Sequence, residues 1–330
     1  MRRLAAVWVT ALAALAPLPA QDGVQAPMEA FANAVQAIEQ ALTNGDRAAI
    51  TAPLDTLERT RELLARHRAA DWPHDRAEPW LERISLAVAR LREPEPTAAR
   101  DAYDWRELRA SCTGCHLDLR KGNGERGLFP NRGGAAFGRV ELRARDGVRV
   151  DDASGVVVFL ERDEPAAAPL PRAPAISQQG RRFRPAVLAV TVGTTVRFPN
   201  DDVVFHNVFS LSRGNAFDLQ TYGKGVERTH VMRNAGLVKV HCNIHPDMVA
   251  SVLVLPTERF AITDRSGFWA IPDVPAGTYT LRTWQALADG HGQALNVAAD
   301  AAVEVGLVVT ETKPRVQHAD KFGKPYKTKY

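Results

Sequence analysis

The stretch Val240-His241-Cys242-Asn243-Ile244-His245-Pro246-Asp247-Met248 constrains this chain more than any other. It presents a thiol, an imidazole and a thioether at the spacing C-x-x-H-x-x-M, directly after the apolar run at residues 237–240. A strand that turns sharply at that point can aim all three side chains at one position. With one further histidine, these donors form the ligand set of a blue-copper centre. His206 is the candidate, because it lies between hydrophobic strands in residues 198–209. Two plainer readings stand beside this one. One is a buried structural cysteine with incidental histidines nearby. The other is zinc, although zinc rarely recruits methionine.

Together the two segments resemble the cupredoxins, over about residues 138–256. The short ligand loop is similar to that of amicyanin, with only two residues between His245 and Met248. The resemblance implies copper held by His206, Cys242 and His245, with Met248 as the weak axial ligand. It also implies that Asn207, directly after the first histidine, steadies the thiolate and so tunes the redox potential. His230 and His241 have no ligand role in this reading, since strand alternation turns His241 away from the face that Cys242 occupies.

The chain has 330 residues, which predicts two or three domains. Its formal net charge of +4 and the lack of a basic patch interleaved with aromatics set nucleic acid aside. The charged start Arg2-Arg3, a short apolar run and a small-residue site before Gln21 predict a secretory signal over residues 1–20. An uncleaved membrane anchor is the alternative, but the run is short for a bilayer span. An exported, periplasmic protein without stable membrane insertion is therefore expected. Its three cysteines, Cys112, Cys115 and Cys242, read as cofactor residues rather than disulfide partners.

Residues 27–121 carry helical periodicity, within an expected four-helix haem c domain over residues 21–121. Met28, Phe31, Val35, Ile38 and Leu42 mark one face of a first helix. Asp46 can cap a second, over about residues 47–69, with Leu54, Leu57 and Leu64 inward. A third, over about residues 76–92, buries Trp80, Ile84, Val88 and Leu91, and Thr97 can cap a fourth over about residues 98–121. Short links between four such helices predict an antiparallel bundle. The fourth helix carries Cys112-Thr113-Gly114-Cys115-His116, a C-x-x-C-H signal for covalent haem c. Cys112 and Cys115 would form the thioethers and His116 would be an axial ligand. A redox C-x-x-C or half of a zinc site is the alternative.

The motif falls at the end of a four-helix segment rather than near a domain start, which resembles the class II, cytochrome c-prime-like family. Leu119 departs from that family's ending, where an aromatic is usual. The first helix also looks like that of soluble b-type bundle cytochromes, and that likeness offers Met28 as the second axial ligand. Plain core filling is an equal reading for a methionine on an apolar face.

Residues 122–137, rich in Gly, Arg and Asn, read as a linker. From residue 138 the period changes to two, which predicts an antiparallel β-sandwich holding the metal at one end. Residues 257–312 resemble the carboxypeptidase regulatory-like sandwich, a small β module in which Asp264 and Asp273 serve turns. Residues 313–330 form a basic tail, either a docking segment for an acidic redox partner or a solvated end.

The expected fold is thus multidomain α and β: a four-helix bundle, a cupredoxin sandwich and a small β-sandwich. The expected function is an exported electron carrier with one haem c and one type 1 copper, exchanging electrons with redox protein partners. It is not expected to be an enzyme. The alternatives are a copper-dependent redox enzyme with the haem as donor, and a haem gas-binding or copper-delivery protein. Methylamine oxidation enters as a pathway only by analogy with amicyanin.

Overall fold

The computed structural model describes residues 25–66, 74–93, 98–119, 134–299, 301–314, 318–324 and 326. The chain divides into a helical unit and a β unit. The expected signal over residues 1–20, the cap at Thr97 and most of the expected linker lie outside the described residues. No helix among the described residues is long and apolar enough to cross a membrane.

The helical unit has α1 (Gln25–Thr43), a 3-10 turn (Arg47–Ile50), α2 (Thr51–Arg66), α3 (His74–Leu91) and α4 (Ala98–Leu119). Asp46 caps the 3-10 turn, its carboxylate accepting from the Ala49 N–H at 3.2 Å. All four helices feed one core: Val35 and Ile38 from α1, Leu54 and Leu57 from α2, Val88 and Leu91 from α3, Leu108 and Cys112 from α4. These are the residues that a period of 3.6 places on one face of each helix.

The β unit contains, in chain order, β1 (Gly134–Arg143), β2 (Val157–Glu161), β3 (Ser177–Gln178), β4 (Phe183–Arg184), β5 (Val187–Thr191), β6 (Thr195–Pro199), β7 (His206–Ser210), β8 (Phe217–Tyr222), β9 (Glu227–Val231), β10 (Gly236–His241), β11 (Val249–Leu255), β12 (Phe260–Ile262), β13 (Phe268–Val274), β14 (Gly277–Trp284), β15 (His291–Val297), β16 (Ala302–Glu304) and β17 (Leu307–Thr310). One sheet runs β13-β1-β16, with β17 also on β1, and faces a second of order β12-β2-β14-β15. A third has the order β5-β11-β10-β7-β8, and the pairs β6-β9 and β3-β4 complete the set.

This pairing divides the region differently from the expected segments 138–256 and 257–312. β1 pairs with β13, β16 and β17, and β2 pairs with β12 and β14. Strands before and after the metal-binding segment therefore build one sandwich, and residues 175–255 are inserted into it. β1 also starts at Gly134, so residues 134–137 belong to a strand and not to a linker.

The reason lies in which faces the strands bury. Val156, Val158 and Leu160 join the core of the host sandwich with Trp269, Tyr279 and Leu281. The alternate residues Val157 and Phe159 pack with Ala189, Leu253 and Leu255 of the insert. β11 does the converse: Ala250, Val252 and Val254 fill the insert's own core, while Leu253 and Leu255 meet β2. A strand that is apolar at every position needs cover on both faces. Alternation marks where strands lie but not which partner completes each face. The turn expected at Asp264 is present: its carboxylate accepts from the Phe268 N–H at 3.0 Å, and Gly267 follows at φ 78°.

Candidate metal centre

The insert brings the predicted donors together at one end of its sheet. His206 opens β7, Cys242 follows β10, and the turn between β10 and β11 carries His245 and Met248. Two backbone bonds close that turn: the Cys242 N–H donates to the Met248 carbonyl at 3.2 Å, and the Met248 N–H to the His245 carbonyl at 3.1 Å. The Ile244 N–H points at the Cys242 sulfur, 3.4 Å away.

Three donor atoms converge. His206 Nδ1 lies 3.1 Å from His245 Nδ1, and the Cys242 Sγ lies 3.9 Å and 3.7 Å from them respectively. Among the described residues these three form a group of ligand atoms suited to a metal ion. A point in their plane sits about 2.1 Å from each atom, the length of an ordinary metal–imidazole bond. The donor set and spacing therefore fit a metal ion. His206, Cys242 and Met248 are fully buried, and His245 is half-buried. Met248 lies in the same apolar cluster as Cys242, Val240 and Val208.

Neighbouring groups orient the first imidazole. His206 Nε2 donates to Asp202 Oδ2 at 3.1 Å, which turns Nδ1 toward the sulfur. The Arg181 backbone N–H, 2.7 Å from Asp202 Oδ2, holds that carboxyl below its ordinary value, and the His206 ring adds to the effect. Burial, then the neighbouring His206 and Arg181, push the His245 ring below the usual histidine range. Asn200 pins the loop before His206: its amide donates to the Val204 and Tyr222 carbonyls, and its side-chain oxygen accepts from the Asp202 N–H.

Asn207 is buried beside this cluster, and its side-chain amide donates to Asp218 at 2.7 Å. The donor that the structure aims at the sulfur is the Ile244 N–H. His241 faces away from the three donors and lies against Phe209 and His318, with the His241 and His318 ring centroids 3.9 Å apart. Sequence reasoning missed Asp202, although its position four residues before His206 was a usable signal. It also missed His318, Lys321 and Tyr326, for which the sequence offers no spacing signal.

The C-x-x-C-H motif lies near the end of α4. Cys112 is buried in the helical core, Cys115 is half-buried, and neither is in a disulfide. Burial, then the nearby Cys115, holds the Cys112 thiol well above its ordinary pKa. That is opposite to the depressed thiol of a disulfide-exchange motif. The Trp80 ring covers Gly114, where an added Cβ would sit 2.4 Å from the indole. The side chain of His116 lies outside the described residues. Met28 packs with Leu64, Ala77 and Leu81, apart from the core that holds Cys112.

No family model matches the chain, and no curated protein matches it. Solved structures resemble part of it. A purple cupredoxin from Nitrosopumilus maritimus is 29% identical over 25% of this chain and 99% of its own, with a TM-score of 0.23. A reduced amicyanin variant is 24% identical over 30% of this chain and 98% of its own, with a TM-score of 0.24. A copper-containing nitrite reductase from Thermus scotoductus is 27% identical over 28% of this chain but only 25% of its own length, with a TM-score of 0.25.

Proposed function

We propose that this protein is an exported, periplasmic electron carrier that holds one type 1 copper in the inserted sandwich and one covalent haem c in the helical unit. The convergence of His206 Nδ1, His245 Nδ1 and Cys242 Sγ carries the copper reading. Bound there, copper supplies a one-electron couple, and haem supplies a second. His206 and His245 would give the nitrogen donors, Cys242 the thiolate and Met248 a weaker thioether sulfur. A metal held by three strong donors and a thioether would have no open position for a substrate, which favours a carrier over an enzyme. Burial of His206 and Cys242 excludes water, and half-buried His245 is the edge for electron exchange. Exposed Val203 and Phe205, just before His206, give a redox protein partner an apolar landing beside it.

The haem reading rests on the motif and on two cysteines one helical turn apart that are not joined in a disulfide. Cys112 and Cys115 would form the links, with His116 as axial ligand. Met28 in its aliphatic cluster reads as core filling. The host sandwich reads as a carboxypeptidase regulatory-like scaffold. An optical spectrum of the oxidised, metal-loaded protein, with iron and copper counted on the same sample, tests both centres. The expected result is a thiolate-to-copper band at about 600 nm for this ligand set, a Soret band, and one copper and one iron per chain. A stoichiometrically loaded sample with no such thiolate band would end the copper reading.

A further inference from the structure

The last segment of the chain returns to the metal centre. The Tyr326 hydroxyl donates to the Cys242 carbonyl at 2.6 Å. The Lys321 N–H donates to the Asn243 side-chain oxygen at 2.8 Å. The His318 ring covers His241, the residue before Cys242. Lys321 Nζ pairs with Asp218 at 2.7 Å, and the other oxygen of that carboxylate accepts the Asn207 amide. Lys321 and Asn207 together hold the Asp218 carboxyl below its ordinary value, against the opposing effect of its burial. Residues 318–324 and 326 thus touch a ligand, the residues on either side of it, and through Asp218 the residue after His206.

We propose that this segment is a working part of the metal centre, with Tyr326 and Lys321 as positioning residues that clamp the ligand loop. The inference rests on the copper reading above. The clamp lies far outside the inserted sandwich in sequence, since the segment follows the last strand of the host. The loop's own backbone bonds join Cys242 to Met248 and Met248 to His245, and Tyr326 and Lys321 supply partners for the Cys242 carbonyl and the Asn243 side chain. Outer partners of this kind orient the ligands and slow loss of the metal. Lys321 is therefore committed within the fold rather than free to recruit a partner, and Lys313 is likewise paired with Asp289.

The test uses the full chain with Tyr326→Phe and Lys321→Met, and Lys324→Gln as an exposed control in the same segment. Three readings are taken: copper release to a chelator, the position of the thiolate-to-copper band, and hydrogen exchange of amides 242–248 in metal-free protein. Tyr326→Phe is expected to speed release about tenfold, the lower end for lost outer partners. It should also shift the band and raise loop exchange, while Lys324→Gln changes none of these. Lys321→Met removes the Nζ–Asp218 pair but keeps the backbone bond to Asn243, and should act in the same direction. If the native protein shows the band and both variants match it in all three readings, the clamp is wrong. If the native protein shows no band, the copper reading fails instead. The clamp is then decided by exchange in the metal-free proteins, where unchanged protection overturns it.

Discussion

The two cysteine motifs of this chain are sites of opposite kinds. Cys112, Cys115 and His116 lie within five consecutive residues of one helix, so their relation follows from helical geometry alone. Cys242, His245 and His206 come from a turn and a separate strand, and Asp202, Asp218, Lys321 and Tyr326 support them from three further places: a loop, β8 and the last described segment. A local motif survives almost any packing that keeps its helix. A convergent site exists only while the sheet holds its register.

The sharpest way to break this contrast is Cys242→Ser. It should abolish the thiolate band and most copper binding while leaving the Soret band unchanged, read from spectra and metal counts. The converse double change, Cys112→Ala with Cys115→Ala, should remove covalent haem from the denatured chain and leave the copper band in place. Retained covalent haem would overturn the attachment sites.

Asp202→Asn should have a graded effect. It removes a negative charge from the far side of His206 but keeps an acceptor for Nε2. The oxidised metal loses more stabilisation than the reduced, so the reduction potential should rise by about 60 mV, a tenfold change for one electron. No rise in a redox titration would mean that the carboxylate only orients the ring.

Acid should weaken the β unit in the metal-free protein. Burial, His318 and Lys239 push His241 down to about 4, and His245 is also lowered. The unfolded chain takes up these protons near the ordinary value of about 6.5. Stability is therefore full above that pH and is lost as pH falls toward the lowered values. Urea unfolding between roughly pH 7.5 and pH 4.5, spanning the ordinary histidine value, checks the sign. The smallest effect is expected from Met28→Leu, a near-isosteric change costing under about 1.5 kcal/mol. It should leave the ferrous haem spectrum unchanged, and loss of a low-spin signature would instead make Met28 a ligand.

The sequence was most legible where one residue's neighbours in the chain are also its neighbours in space. Periodicity located the buried faces of α1, α2 and α3, and Asp46 was a readable cap. The C-x-x-H-x-x-M spacing marked a ligand turn, because β10 and β11 are joined by that turn alone. His206 was harder, since only the type of residue and its flanking apolar positions pointed to it.

The assembly of the β unit was decided by tertiary structure. Val157 and Phe159 read as strand residues in any arrangement, but only packing against Leu253 and Leu255 makes β2 the wall between host and insert. The basic tail is a similar case, because Lys321 and Tyr326 gain a role only once the fold brings Asp218 and the Cys242 carbonyl within hydrogen-bonding reach. By itself the sequence determined donor chemistry, element type and the local turn that spaces Cys242, His245 and Met248. Only the tertiary structure decided which strands share a sheet and which distant side chains brace the ligands. The physical reason is that side-chain chemistry and backbone period are local properties, whereas a buried face or carbonyl finds its partner anywhere in the chain.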